Sequence, residues 1–486
     1  MRQGIRRCVW EGALCAIWGT LVGGQFLTGL ALAYGARDIH IGYLAAIPCF
    51  TGLMQLPAAA VLERFGGQRR ITLRAAGMAR TSWILALLAP LLAAGGARVH
   101  GVTLLMAIQV ISGVAMAVTS VAWLSWLGNL IPRSERGTQI GRRSSLYSIG
   151  SILALLAGGW FVDWWRIQHG QNSASAFLIL FTVAVLVGAI GVAVLAGMPE
   201  ASGRRAASGR RLLVLLRRPW KDPHFLRFAA YNGFRVFATM FSGPFYVVYQ
   251  LKRLRMHHSE IALYQSIQNA TNALALQFWG RLTDRYGSRP VVILCLLGIS
   301  VLPLLWLFTE PGHYRILPVA FFLGGLTWAG VSIGETNLWL KLAPPGRNAT
   351  YIALFATIAN LSGTLAPLAG GAVSEAAQEA HFRLGPVLFN NFKMLFLFSA
   401  VMRVLSVFVL RPLREPEELG VRRLVSALMH PRVPNPAVVF QHLVASLSGG
   451  RVALEDRVPP ATAAVNGEEE NNGPAENASP ASRGEA

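Results

Sequence analysis

Gly280-Arg-Leu-Thr-Asp284-Arg285-Tyr-Gly287-Ser-Arg289-Pro290 has an echo earlier in the chain, Ala59-Ala-Val-Leu-Glu63-Arg64-Phe-Gly66-Gly-Gln-Arg69-Arg70. The shared core is acid, Arg, aromatic, Gly, and the two copies stand 221 residues apart. A second echo links Pro132 and Gly158-Gly159 to Pro344 and Gly370-Gly371, at an offset of 212. Two unrelated loops rarely agree at such offsets. The chain reads as a duplicated unit.

Between these loops the sequence is overwhelmingly apolar. Hydrophobic residues make up 53% of the 486, with 49 glycines besides, and charged residues only 14%. Soluble domains carry about 25% charged residues, because a water-facing surface has to be covered by polar groups. A soluble enzyme, a disordered chain and a disulfide scaffold are therefore excluded, and an all-α polytopic membrane protein is expected. Roughly 20 apolar residues cross the hydrocarbon core as a helix. Twelve such runs are found, near 9–34, 40–62, 71–95, 101–130, 144–165, 174–198, 225–250, 258–282, 290–309, 316–341, 349–376 and 386–412. The start Met1-Arg-Gln-Gly-Ile-Arg-Arg7 and the triplet Ala31-Leu-Ala33 look like a signal peptide. The apolar run is too long for one and contains Glu11, so it reads as an uncleaved first helix.

Twelve runs and a repeat give two pseudo-symmetric six-helix bundles, 1–198 and 225–412, joined by a basic linker over 199–224. Arg211-Leu-Leu-Val-Leu-Leu-Arg217-Arg218 in that linker is expected to lie on an anionic leaflet. An amphipathic extension is expected over 413–453 and a disordered tail over 454–486, where Ala, Pro, Asn, Glu and Gly dominate. The net charge of +21 could point to nucleic acid. Topology accounts for it instead, because cytoplasmic loops retain Lys and Arg. With both termini cytoplasmic, most of the 44 Lys and Arg fall on the cytoplasmic side, and Arg80, Arg227, Arg235, Lys393 and Arg403 inside spans. The external cluster Lys252-Arg253-Leu254-Arg255 breaks that pattern without an evident reason. Cys8, Cys15, Cys49 and Cys295 have neither disulfide nor metal-ligand spacing. The sequons at Asn269, Asn348 and Asn477 read as accidental.

The loop at Gly280, Asp284, Arg285, Gly287 and Arg289 resembles the signature loop of the major facilitator superfamily of secondary transporters, Gly-x-x-x-Asp-Arg-x-Gly-x-Arg. The first copy departs from it, with Ala59 for glycine and Glu63 for aspartate beside Arg64 and Gly66. The resemblance covers roughly residues 8–412. It implies that these residues form a conformational switch whose acid faces the N-terminus of a helix in the other half, where a carboxylate is stabilised. Asp284 would face the start of span 5 near Ser144, and Glu63 the start of span 11 near Ala349. Ser362, Ala366, Pro367, Gly370 and Gly371 resemble the glycine–proline signature of antiporters, moved from span 5 to span 11. Small residues at that spacing also serve close helix packing, so they do not establish efflux.

Polar residues inside spans mark the candidate site, because a buried charge must face protein or water. Arg235 in span 7 and Glu335 in span 10 either gate the cavity as an ion pair, form a static pair between halves, or leave Arg235 to bind an anionic group. Trp328, Ser332 and Trp339 share the face of Glu335. Gln265, Gln268, Asn269 and Asn272 make an amide stripe on span 8, read equally as cavity lining or interhelical glue. Gln25 and Thr28 in span 1 are weaker candidates. Trp123 and Trp126 either stack on solute or pack. Arg80, Lys393 and Arg403 read as structural, and Glu11 as an inexpensive interfacial carboxylate. No histidine lies mid-span to carry a proton.

No phosphate-binding Gly-x-x-x-x-Gly-Lys-Ser/Thr and no His-Glu-x-x-His is found, so an enzyme is not expected, nor a cofactor or bound metal. The expected function is a secondary active transporter in a bacterial inner membrane. It would move a small polar organic solute, anionic in character, by alternating access coupled to protons or sodium. It is expected to work as a monomer among lipids, with no nucleic-acid partner. The alternative is a non-transporting solute sensor of the same fold.

Overall fold

The computed structural model describes residues 2–429 apart from 95–97, 132–135, 171–173, 201–219, 221, 343–347, 386, 414, 416 and 417. The side chains of Glu63 and Arg64, most of the basic linker and everything from residue 430 lie outside the described residues. Each of the twelve expected runs contains a helix, the last beginning at Asn391, after a short strand, rather than at 386. Span 1 is Arg2–Leu21 plus Gly24–Ala33, span 2 Asp38–Gly52 plus Gln55–Phe65, and span 3 Gln68–Thr81 continued by 3-10 and α turns to Ala94. Spans 4, 5 and 6 are Arg98–Leu130, Arg136–His169 and Ser175–Ala196. Span 7 is Pro223–Ser242 plus Phe245–Lys252, span 8 His258–Tyr286, span 9 Ser288–Leu305 with a final 3-10 turn, and span 10 Leu317–Leu342. Spans 11 and 12 are Asn348–Ala376 and Asn391–Leu410, with a small hairpin, Phe382–Leu384 and Val387–Phe389, between them. A last helix, Val421–Met429, follows.

Ten of the spans are long and apolar enough to cross a membrane on length and composition alone. The other two are span 7, interrupted at Gly243-Pro244 and carrying Arg227 and Arg235, and span 8 with its amides. Helices that face a polar interior lose hydropathy for that reason. Span 5 begins at Arg136, eight residues before the sequence placed it, so Ser144 lies two turns inside the helix.

Packing repeats the duplication. Span 1 packs on 5 and 6, span 2 on 4, and span 3 on 4 and 6; span 7 packs on 11 and 12, span 8 on 10, and span 9 on 10 and 12. Each pairing thus recurs six spans later. The motif glycines end their helices at equivalent points, Gly66 at φ 65° and Gly287 at φ 94°, where a side chain would be strained.

The halves meet through span 2 on span 11 and span 5 on span 8. These contacts are backbone-close and built on glycine. A methyl added at Gly42 would stand 2.5 Å from Pro367 O, one at Gly159 2.7 Å from His258 O, and one at Gly371 3.2 Å from Asp38 O. Deeper in, Gly363 lies against Cys49 and Gly52 against Asn360. Along span 8 the same stripe begins buried at Ala262 and Ser266, then is exposed at Ala270, Ala273, Gln277, Arg281 and Asp284. One end of the molecule is shut and the other is parted.

Overpacking of a fitted contact costs about 1–3 kcal/mol, so Gly42→Val should depopulate the state with the Asp38 end shut by roughly five- to hundredfold. Spin labels at Arg37 and Gln378, both at that end, should show a longer distance by electron–electron resonance. An unchanged distance distribution would show that the glycine contact does not hold the end closed.

Candidate functional site

The shut end is held by carboxylates of the first half. Asp38, 1% exposed, accepts hydrogen bonds from Ser374 Oγ at 2.8 Å and Asn391 Nδ2 at 3.0 Å, and pairs with Lys252 Nζ at 2.8 Å. All three partners belong to the second half. Asp163 in span 5 accepts the backbone N–H groups of His258 at 3.0 Å and Ser259 at 2.7 Å, the first turn of span 8. A carboxylate there neutralises unpaired helix donors and the positive end of the helix dipole. Glu375 in span 11 makes a looser counterpart at the start of span 2, with Ile39 N at 3.5 Å and Arg37 at 3.6 Å. Asp163 and Glu375 stand 212 residues apart, the offset of the glycine pairs five positions before them. Sequence reading stopped at those glycines and missed the acids, and it left Lys252 unexplained.

His258 completes the closure. It is 1% exposed and stacks on Phe26 of span 1, with ring centres 6.5 Å apart, and edge-on to Phe177 of span 6 at 5.3 Å.

At the parted end, Asp284 and Arg285 are exposed, and a methyl at Gly280 would meet nothing within 4 Å. Asp284 does not reach span 5 in this state. Arg289 instead ties the motif loop to its own half: it pairs with Glu418, its backbone N–H donates to Glu415 at 2.8 Å, and Nη2 donates to Arg411 O at 2.7 Å. Glu415 also pairs with Lys341 of span 10. The start of the amphipathic extension is thereby docked under spans 8 to 10, with Leu424 fully buried.

Arg235 and Glu335 do meet, Nε to Oε1 at 2.6 Å, and both are buried. Spans 7 and 10 belong to one half, so this is no pair between halves. Tyr231 Oη donates to Glu335 Oε1 at 2.7 Å, and Arg235 Nη2 to Asn232 Oδ1 at 3.2 Å. Arg235 is therefore neutralised on the spot. Trp339, one turn beyond Glu335 along span 10, stacks on Phe355 of span 11 at 5.9 Å and lines neither the cavity inside the second half nor the one beside His258.

A cavity of about 390 Å³ lies inside the second half, bounded by spans 7, 8, 9, 10 and 12. Gln265, Gln268, Asn269 and Trp328 line it, as does Arg403, which the sequence reading had set aside as structural. Asn272 does not line it: its amide donates to Gly325 O of span 10 at 3.3 Å, so this member of the stripe is interhelical glue. Gln25 is buried in span 1 with both amide atoms unpartnered and borders neither this cavity nor the one beside His258.

The first half has its own buried charge cluster. Glu11 is 2% exposed and pairs with Arg80 at 2.5 Å and Arg143 at 3.1 Å, so it is no interfacial carboxylate. Glu11 and Asn232 are 221 apart and hold equivalent places in the repeat. Trp123 lies under the Arg143 guanidinium at 4.3 Å, and Trp126 donates to Pro199 O, so both pack.

The profile described as the Major Facilitator Superfamily matches residues 12–254 and again 234–453. The multidrug resistance protein MdtG of Salmonella typhi is 29% identical over 173 residues, 35% of this chain. The match spans only 40% of that relative's length. Among solved structures, the nucleoside transporter NupG superposes with a TM-score of 0.60 at 14% identity, over 85% of this chain and 98% of its own. The inward-open xylose transporter XylE from E. coli superposes with a TM-score of 0.61 at 13% identity, over 87% and 98%.

Removing one partner of a buried ion pair costs about 3–5 kcal/mol because the other charge is left uncompensated. Arg235→Gln should lower the thermal unfolding temperature of the purified protein, and Arg235→Gln with Glu335→Gln should recover most of the loss. If the double variant is as unstable as the single one, the two charges do not depend on each other.

Proposed function

The chain belongs to the Major Facilitator Superfamily, and from that membership we propose that it moves a small polar organic solute, anionic in character, across a bacterial inner membrane. It is a transporter and an integral membrane protein. The finer reading rests on one observation: its halves are latched at the Asp38–Asp163 end and apart at the Asp284 end. The Lys and Arg asymmetry favours both termini in the cytoplasm, which makes the latched end external and this state inward-facing. Residues 1–198 and 225–412 act as the two rocking bodies, and 199–224 as the tether between them.

In the opposite state the external carboxylates release their helix starts, and Asp284 and Glu63 take up helix N-termini at the cytoplasmic end. The same physics then closes either side. Glu335 is the coupling carboxylate. Arg235 and Tyr231 occupy it in this state, and parting from Arg235 during the cycle frees an oxygen for a coupling proton. A solute sensor of the same fold is not favoured, since the structural neighbours NupG and XylE are transporters. Movement of drug-like compounds, in keeping with the multidrug resistance in the name of MdtG, is a second reading supported by the aromatic wall around Trp328.

Flux of labelled acidic and neutral solutes into proteoliposomes tests the reading. Asp284→Asn should slow flux by roughly two- to thirtyfold, the value of a carboxylate at a helix N-terminus, with solute affinity in a state-locked protein unchanged. Glu335→Gln should remove dependence on a pH gradient. Failure of any solute in a broad panel to move would overturn the proposal.

A further inference from the structure

We propose that the cavity inside the second half binds a carboxylate-bearing solute with an aromatic or otherwise flat body, and that Arg403 is its counter-charge. The inference rests on the transport reading above and names the substrate class that reading leaves open. Its starting point is an imbalance of charge. Arg403 in span 12 is 4% exposed, and its Nη1 donates to Ile299 O at 2.9 Å, but its Nε has no partner. No ion pair among the described residues includes it, and no Asp or Glu lines the cavity. Arg235, one turn before the cavity residue Thr239, brings its own carboxylate in Glu335. Arg403 brings none, and a guanidinium buried without a counter-ion is among the least stable arrangements a protein interior holds.

A second, independent group asks for the same ligand. Gln250, at the end of the short second helix of span 7, lines the cavity and is 1% exposed, yet neither its Nε2 nor its Oε1 has a partner. Buried amides are nearly always bonded. A carboxylate in the cavity accepts from Arg403 Nε and from Gln250 Nε2, and a hydroxyl or N–H on the same solute satisfies Gln250 Oε1.

The remaining wall sets the shape. Tyr246 stacks on Phe396 with ring centres 4.3 Å apart and stands 4.8 Å from Trp306, and Phe321 and Trp328 continue the apolar surface. The volume of about 390 Å³ falls within the range of small-molecule sites. The cavity also reaches the transport path. Asn269, on its rim, is exposed beside the stripe of span 8 that faces the parted end. Met240, also lining it and exposed, lies one turn beyond Val236, which borders the contact of Gly363 with Cys49 of the first half.

Equilibrium binding to the purified full-length protein in detergent, read from tryptophan fluorescence and calorimetry, tests this without requiring flux. The probes are benzoate, 3-hydroxybenzoate and phenylacetate, with benzamide as the neutral control. The acids should bind at least tenfold more tightly than benzamide. Arg403→Gln should weaken them by roughly tenfold to hundredfold, the strength of a hydrogen bond to a charged group, and leave benzamide unchanged. Gln250→Leu keeps the guanidinium in place and should weaken the acids several-fold, a readout that survives if Arg403→Gln fails to fold. No binding by any of the acids, equal binding of acid and amide, or acid binding indifferent to both variants would overturn the site. A protein that transports other solutes but binds none of these acids loses the site and keeps the transport reading. One that binds them and moves nothing keeps the site and loses transport.

Discussion

A carboxylate of one half set against the first turn of a helix in the other is the contact on which the arrangement turns. Asp163 accepts two backbone N–H groups at the start of span 8, donors that a helix end leaves unpaired. Asp38 does comparable work with side chains of spans 7, 11 and 12. Such contacts are strong enough to hold a closed end, typically about 0.3–1 kcal/mol each and more when partly buried. They are weak enough to be exchanged. A packed apolar interface of the same extent would close once and stay closed, whereas polar latches on glycine-smooth surfaces make two arrangements of similar energy.

The polar groups deep in the membrane divide into satisfied and unsatisfied sets. Glu11 with Arg80 and Arg143, and Glu335 with Arg235 and Tyr231, are closed networks within single halves. Because each network lies within one half, movement of the halves past one another does not cross it. Arg403 and Gln250 are the unpartnered groups that line the cavity. A polar group left unpaired at a cavity wall is open to a partner that enters the cavity.

Much of the fold was legible in the sequence because its determinants are one-dimensional. Run length fixed the spans, and the offsets of 221 and 212 exposed the duplication that the packing repeats pair by pair. Site assignment fared unevenly, for a physical reason. Arg235 and Glu335 were found as a pair because both are costly and few partners exist, and their span numbers, both within 225–412, already argued against a pair between halves. Trp339 and Asn272 shared helical faces with cavity residues, yet Trp339 stacks on Phe355 and Asn272 donates to the Gly325 carbonyl instead. Arg403, read as structural, also lines the cavity, because a long side chain on a peripheral helix still reaches the bundle interior. Asp38 and Asp163 sit at span ends, where a carboxylate draws no notice until its partner is known.

The central claim is that the two ends open and close in opposition about the buried middle. Distances measured in the same reconstituted protein, between labels at Arg37 and Gln378 and between labels at Arg142 and Arg281, test it most directly. The account predicts two populations at each pair that are anticorrelated, long at one end when short at the other, with solute or pH shifting their ratio. Distances that lengthen together, or a cytoplasmic pair that never shortens while solute is being moved, would contradict it.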